Sequence, residues 1–213
     1  MCIMLIVEEF TNMNIAELNT TTQPLEAVNL KVIKVLQDAL CAEYIYTKKI
    51  HKYQKIIFIY NLFSFVVPIV VLASLYVTKG DTVLEPIFNQ ISTIISFILL
   101  ILIGFMFLTS IQDKKENFIV SRRINRRSQK DAENNKYKSD SELVHFFKHI
   151  NDIDDNDLDK LGELKKSEIQ ASYRYALEQL GYDAKCASCK KLPTEYKWSV
   201  FKETCNVCGI KKG

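Results

Sequence analysis

The sequence predicts an all-α membrane protein with a two-helix transmembrane hairpin, long cytoplasmic helices and a small C-terminal module. Two apolar stretches, 56–77 and 87–109, contain no Asp, Glu, Lys or Arg. At ~1.5 Å rise per residue, each would span ~33 Å as a helix, enough for a hydrocarbon core of ~30 Å. The flanking segments repeat apolar residues every three or four positions, and two CxxC pairs lie near the C-terminus.

The segment 56–109 is predicted to form the hairpin, with spans at 56–77 and 87–109. Lipid offers no hydrogen-bond partners, so each span must pair its backbone internally, which favours helices. Between the spans, Gly80, Asp81 and Pro86 provide turn and helix-start chemistry. Pro68 lies inside the first span, where membrane helices tolerate proline. The alternative is a pair of buried helices in a large soluble core.

Basic residues near the ends of the spans predict the orientation of the hairpin. The connecting loop has one basic residue, Lys79, against Asp81 and Glu85. Both termini are therefore expected in the cytoplasm, with the loop outside. The basic residues before and after the hairpin are Lys48, Lys49, Lys52, Lys55, Lys114, Lys115, Arg122, Arg123, Arg126, Arg127 and Lys130.

An amphipathic helix is predicted to precede the hairpin, over residues 25–55. No Gly or Pro interrupts this segment, so the helix is expected to continue into the first span. Its apolar face needs a partner, either the segment after the hairpin or another protomer. That face is formed by Leu25, Val28, Val32, Leu36, Leu40 and Tyr44. The apolar start of residues 1–24 is not a signal peptide, because no basic residue precedes it, and no role is assigned to it.

The region 110–182 is predicted to be a cytoplasmic helical region. Ser141 is expected to cap a helix, and Gly181 to end the last one. The predicted order is a basic helix at Ile111–Lys130, a loop at Asp131–Asp140, a helix at Glu142–Ile150, a solvated acidic loop at Asn151–Lys160 and a helix at Leu158–Leu180.

Two patterns in this region resemble metal sites but are interpreted otherwise. His145 and His149 stand four residues apart, a spacing that can share a metal on a helix, but such pairs are usually ordinary surface or core residues. The acidic run from Asp152 to Glu163 imitates an EF-hand loop. Asp157 stands where the EF-hand turn requires glycine, so a solvated loop is the favoured interpretation.

Residues 183–213 are predicted to form a zinc-binding, zinc-ribbon-like tail. Two CxxC turns separated by fifteen residues can deliver four thiolates to one tetrahedral ion, with no open position for catalysis. A tail this short needs a bound metal or another cross-link to fold. A metal is favoured over disulfides because the compartment is expected to be reducing. A redox dithiol pair and an iron–sulfur cluster are the alternatives. The predicted ligands are Cys186, Cys189, Cys205 and Cys208, with Tyr196, Trp198 and Phe201 as a small core.

The lysines of this tail, with aromatic residues between them, suit nucleic acid, but zinc ribbons bind proteins as readily. A protein partner and a nucleic-acid partner therefore both stay open for this tail.

A helix that leads into a membrane hairpin flanked by long helices resembles the SLATT superfamily of two-transmembrane effectors in bacterial conflict systems. With Cys186-x-x-Cys189 and Cys205-x-x-Cys208 added, the chain also resembles the mobilome CxxC…CxxC proteins, and in particular the membrane protein of a retron anti-phage system. The resemblance implies a toxin of the bacterial inner membrane. Such a toxin is kept silent by a reverse transcriptase with its RNA–DNA product and is released when infection is sensed.

Two functions follow as expectations. The first is a membrane effector that oligomerises and compromises the inner membrane, since one hairpin cannot enclose an aqueous path. Asn89, Thr93 and Ser96 share a helical face that can join helices or line a pore. The alternative is a membrane-anchored adaptor whose zinc tail binds a protein or a nucleic acid. The sequence contains no phosphate-binding loop, paired catalytic carboxylates or nucleophile with a base, so no enzyme is expected.

Overall fold

A computed structural model describes residues 24–81, 83–181, 184–195 and 204–210. These residues divide into two compact units, each with its own internal packing. The first, which we call the core unit, contains the described residues up to Lys48 and from Phe118 onwards. The second, which we call the hairpin unit, is Lys49–Asn117. Most of the N-terminal segment 1–24 lies outside the described residues.

All regular elements in the described residues are helical. The first helix runs without a break through the junction of the predicted amphipathic and membrane segments, as the absence of glycine indicated. The helices are α1 (Pro24–Thr78), α2 (Leu84–Leu108), α3 (Ile111–Asn135), α4 (Asp140–Leu161) and α5 (Lys166–Leu180), followed by a 3-10 turn at Pro193–Glu195. Gly181 ends α5 with a φ of 134°, as predicted.

The turn of the hairpin is organised by Asp81. Its carboxylate accepts hydrogen bonds from the backbone amides of Val83 and Leu84, at 2.9 and 3.0 Å, and so satisfies orphan donors at the start of α2. These bonds hold the pKa of Asp81 below its usual value. Glu85 reaches back to the amide of Gly80 at 2.9 Å. The predicted break between two helices is therefore confirmed.

The helices of the hairpin unit leave their apolar side chains uncovered. No residue of α2 is buried. In α1, Phe65 and Leu72 are 70% and 67% exposed. Two stretches of helix in the structure are long and apolar enough to cross a membrane, and the most apolar windows within them have no buried residue. This unit therefore contains apolar helices without an apolar interior.

The segment after the hairpin is more helical than predicted. Ser110, in the left-handed region with a φ of 46°, separates α2 from α3. Helix α3 then continues to Asn135, so the predicted loop Asp131–Asp140 is wrong for its first half. Ala132 explains the extension, because it is fully buried against Val32 and Leu143.

The predicted boundaries of the next two helices need three corrections. Ser139, and not Ser141, caps α4: its hydroxyl and its backbone amide both bond to Glu142, at 2.8 and 3.0 Å. The predicted acidic loop Asn151–Lys160 is helical and belongs to α4, since Ile153 and Asp157 face the interior. The predicted helix Leu158–Leu180 is interrupted at Gly162, where φ is 59°.

A buried polar contact joins α1, α3 and α4 inside the core unit. The hydroxyl of Tyr46 donates to one carboxylate oxygen of Asp157 at 2.7 Å, and the amide of Asn125 donates to the other at 2.6 Å. All three residues are buried. Burial raises the pKa of Asp157, although these two hydrogen bonds and Lys160 oppose the rise. The predicted partner for α1, the segment after the hairpin, is therefore confirmed for the core unit.

Candidate metal centre

The four cysteine sulfurs of the C-terminal region lie together, as the two CxxC pairs predicted. All four Sγ atoms are within 4.8 Å of one another. The Sγ atoms of Cys186 and Cys205 are 4.0 Å apart, and those of Cys189 and Cys208 are 3.5 Å apart. Four thiolates at ~2.3 Å around a tetrahedral ion would be ~3.8 Å from one another, so this group suits a metal ion.

The two turns that present these cysteines have the same backbone hydrogen bonds. In the first, the amide of Cys186 donates to Lys191 at 3.0 Å, and the amide of Lys190 donates to Cys186 at 2.7 Å. In the second, the amide of Cys205 donates to Ile210 at 2.7 Å, and the amide of Gly209 donates to Cys205 at 2.8 Å. The backbone hydrogen bonds of each turn therefore position its own two cysteines without help from the other turn.

The fifth residue of each turn has a left-handed backbone, but only one of them is glycine. Lys190 has a φ of 59° and Gly209 a φ of 72°. A Cβ atom at Gly209 would lie 2.9 Å from Arg174 Nη1 and 2.9 Å from Gln170 Oε1. Glycine at position 209 therefore allows both the left-handed backbone and the close approach of this turn to α5.

Helix α5 supports the second cysteine turn through two polar side chains. Gln170 donates to the carbonyls of Cys205 and Asn206, at 3.1 and 3.0 Å. Arg174 donates to the carbonyl of Cys208. Because these bonds go to carbonyl oxygens, the ligand sulfurs stay available to a metal ion.

The cysteine turns are part of the core of the unit and do not form a separate tail. Cys186, Cys205 and Cys208 are at most 1% exposed. Their cluster also contains Leu40 and Cys41 from α1, Tyr173, Ala176 and Leu177 from α5, and Val207 and Ile210 from the second turn. Burial, reinforced by the adjacent Cys186 sulfur, raises the pKa of Tyr173 to about 12. The described cysteine turns of the predicted C-terminal module are therefore packed against two helices.

Burial and backbone amides have opposite effects on the pKa values of the cysteine thiols. Burial raises the pKa of Cys186 and of Cys208. Burial also disfavours the thiolate of Cys205, but the amides of Val207 and Cys208 outweigh it and lower the pKa of Cys205 to about 7. A cation bound among the four sulfurs would favour the thiolate form of all four cysteines and offset the effect of burial.

The structure also places the other predicted site residues. His145 and His149 are exposed on α4 and do not join the cysteines. The acidic run from Asp152 is helical and cannot form an EF-hand loop. Tyr196, Trp198 and Phe201, the predicted small core, lie outside the described residues. Gln170 and Arg174 were missed, because neither residue type on a helix signals contact with a cysteine turn.

Comparison with known proteins agrees with the cysteine pattern. A sequence model of the mobilome CxxCx(11)CxxC protein family matches residues 31–211. Fifteen residues separate the pairs in this chain, against the eleven in the family's description. No curated protein and no solved structure matches the chain. Because the match covers both apolar helices as well as the cysteines, the chain belongs to the mobilome CxxCx(11)CxxC protein family.

Proposed function

We propose that this protein is a membrane effector of a bacterial antiviral defence system, which compromises the inner membrane as an oligomer. The observation that carries the proposal is the exposure of the hairpin unit. Leu100, Phe107 and Leu108 of α2 are 67%, 85% and 83% exposed. Contiguous apolar surface of this extent marks a lipid or interaction site. A lipid bilayer is the solvent that covers such helices along their whole length.

The soluble alternative requires these helices to be the core of a larger fold. A core helix is mostly buried, but the apolar windows here have no buried residue. The core unit has its own apolar interior. We therefore infer a multi-pass protein with both termini in the cytoplasm, as the basic residues flanking the hairpin favour.

Assembly of several copies is part of the proposal, since one hairpin cannot enclose water. Thr93 satisfies its hydroxyl within α2, by donating to the carbonyl of Asn89 at 2.8 Å. The side-chain amide of Asn89 has no hydrogen-bond partner in the described part of the chain. In lipid, an amide without a partner favours a second copy of the helix, with which it can form hydrogen bonds.

The cysteine centre is proposed to hold zinc in a structural role. Four thiolates in a tetrahedral group suit zinc, and no position is left for water or substrate. The centre packs on α1 and α5, so its metal would stabilise the core unit from which control is exerted. Membership of a mobilome family and the resemblance to SLATT and retron membrane proteins support the antiviral role. A reverse transcriptase with its RNA–DNA product is the proposed silencing partner.

Dye entry into living cells tests the effector function. Wild-type protein released from its control should admit a membrane-impermeant dye. Ile98→Asp places a charge near the middle of α2, at ~2.5–3.5 kcal/mol on insertion scales, and should abolish dye entry. Val144→Asp is the matched control, because Val144 is 61% exposed on α4 of the core unit and should tolerate the same change.

Both variants need immunoblotting and carbonate extraction to show that they are made and inserted. An inserted Ile98→Asp protein that still admits dye would remove the hairpin as the toxic element. A wild-type protein that never admits dye would favour the membrane-anchored adaptor instead.

A further inference from the structure

We infer that the exposed face of α3 binds the phosphate backbone of a single-stranded nucleic acid. Arg123, Arg126 and Lys130 lie within an arc of about 60° around the helix axis, and Arg127 borders it. All four are exposed. We call these four residues the basic face. It belongs to the core unit and includes none of the four cysteines, and the inference rests on contacts within that unit alone.

One arginine of the basic face, Arg126, is held in place by a buried glutamate of α1. Arg126 Nε donates to Glu43 Oε1 at 2.5 Å, and Gln129 donates to Glu43 Oε2 at 2.9 Å. Glu43 on α1 is only 7% exposed, whereas the side chain of Arg126 is 58% exposed. The buried carboxylate therefore holds Nε of Arg126, while more than half of the side-chain surface stays exposed. A fixed fork of this kind suits phosphate, because little freedom is lost on binding.

The other cations of the basic face have no acidic partner in the described chain. Within the part of the chain that the structure describes, Arg123, Arg127 and Lys130 form no salt bridge, so their charges are available. These three charges lie along ~10 Å of helix. Such a row of positive charge attracts a polyanion and releases its counterions.

Two further features favour nucleic acid over a protein or a membrane surface. Tyr44 and Tyr175 stack beside the basic face with ring centroids 5.1 Å apart, and Lys48 lies 4.8 Å from the Tyr44 ring centroid. Burial raises the pKa of Tyr175, with Glu43 adding to the rise and Arg126 opposing it, so Tyr175 lies near the ion pair of the basic face. Aromatic rings among cations are typical of single-strand sites.

No large apolar side chain is exposed on α3 between Arg123 and Lys130, although both protein interfaces and helices lying on lipid use such anchors.

Fluorescence anisotropy of a labelled single-stranded oligonucleotide tests the inference on the full-length protein in zwitterionic nanodiscs. Arg123→Gln combined with Arg127→Gln should weaken binding about tenfold or more and make the salt dependence shallower by about 1.4 in log–log slope. Arg126 is left intact, because its removal would strand buried Glu43. Lys31→Gln with Lys148→Gln removes the same charge from exposed positions elsewhere and should change affinity less than about twofold.

Three outcomes would overturn the inference. The first is a wild-type protein that does not bind at low salt, and the second is an equal loss in both double variants. The third is protection of Arg123 and Arg127 from an arginine reagent by phosphatidylglycerol nanodiscs but not by oligonucleotide. That result would assign the face to the membrane surface. Oligonucleotide protection of the same two arginines would support the inference.

Discussion

The core unit and the hairpin unit share helix α1 but treat apolar side chains in opposite ways. In the first half of α1, Val32 and Ile45 are 1% and 3% exposed. In the second half, Phe58 and Leu72 are both 67% exposed. The same helical geometry therefore occurs with its apolar side chains covered in one unit and uncovered in the other, and burial distinguishes the units better than helix content does. The two units should therefore respond differently to the same substitution, because a side chain that is buried in one is exposed in the other.

The largest effect is expected from removing a predicted ligand of the candidate metal centre, which lies in the core unit. Cys205→Ser should lower metal affinity by about tenfold or more, because one thiolate and the closure of the site are lost. Metal content of the purified full-length protein measures this. Cys41→Ala is the control, since Cys41 is buried in the same cluster without belonging to the four-sulfur group. Equal metal loss in both variants would show a general packing defect and not a ligand role.

Matched leucine truncations sharpen the comparison between the units. Leu143→Ala should lower the free energy of unfolding by ~2–5 kcal/mol, because Leu143 is fully buried against Val32 and Ala132. Leu72→Ala, at an exposed position of the hairpin unit, should cost less than ~0.5 kcal/mol. Chemical unfolding of the detergent-solubilised protein, followed by circular dichroism, compares them. A Leu72→Ala cost as large as that of Leu143→Ala would mean that a partner covers this part of α1.

A smaller effect should appear in the pH dependence of the core unit. Burial and the neighbouring Asp154 raise the pKa of Asp38 to about 8, although Lys34 opposes the rise. The folded state therefore holds a proton that the unfolded chain releases near pH 4. The stabilisation from this proton is complete below about pH 4 and is lost as pH rises through about 8.

Asp38→Asn should remove much of this loss. At about pH 8, its melting temperature should exceed that of the wild type by ~2–4 °C per kcal/mol regained. Asp152→Asn, at an exposed position of α4, is the control. The melting temperatures of both variants are compared at about pH 5 and about pH 8. If the two variants show the same change between these pH values, Asp38 is excluded as the titrating group.

Features that depend on neighbouring residues were predicted from the sequence more accurately than features that depend on contacts between helices. The hairpin break at Asp81 and the stop at Gly181 are local, and both were predicted. The acidic run on α4 was misread, because its charge suggested a loop while Tyr46 and Asn125 bury one of its aspartates. Nothing local marks Asp157 as the residue that faces inward.

For the site, the spacing of the cysteines was sufficient to predict their grouping, since CxxC turns carry their own geometry. Their attachment to α5 was not predictable, because Gln170 and Arg174 are ordinary helix residues until the fold brings Cys205 and Cys208 to them. The pairing of Glu43 with Arg126 was hidden for the same reason, because these residues come from different helices.

The difference between Lys190 and Gly209 has a use in reading relatives of this chain. Both positions are left-handed, and at Gly209 a Cβ atom would also meet Gln170 and Arg174 of α5. A relative with a longer residue at this position would need smaller side chains on the facing helix, or a second turn that lies further from it. Glycine after the second CxxC pair, together with the residues at Gln170 and Arg174, is therefore a pattern by which this close contact can be sought in relatives.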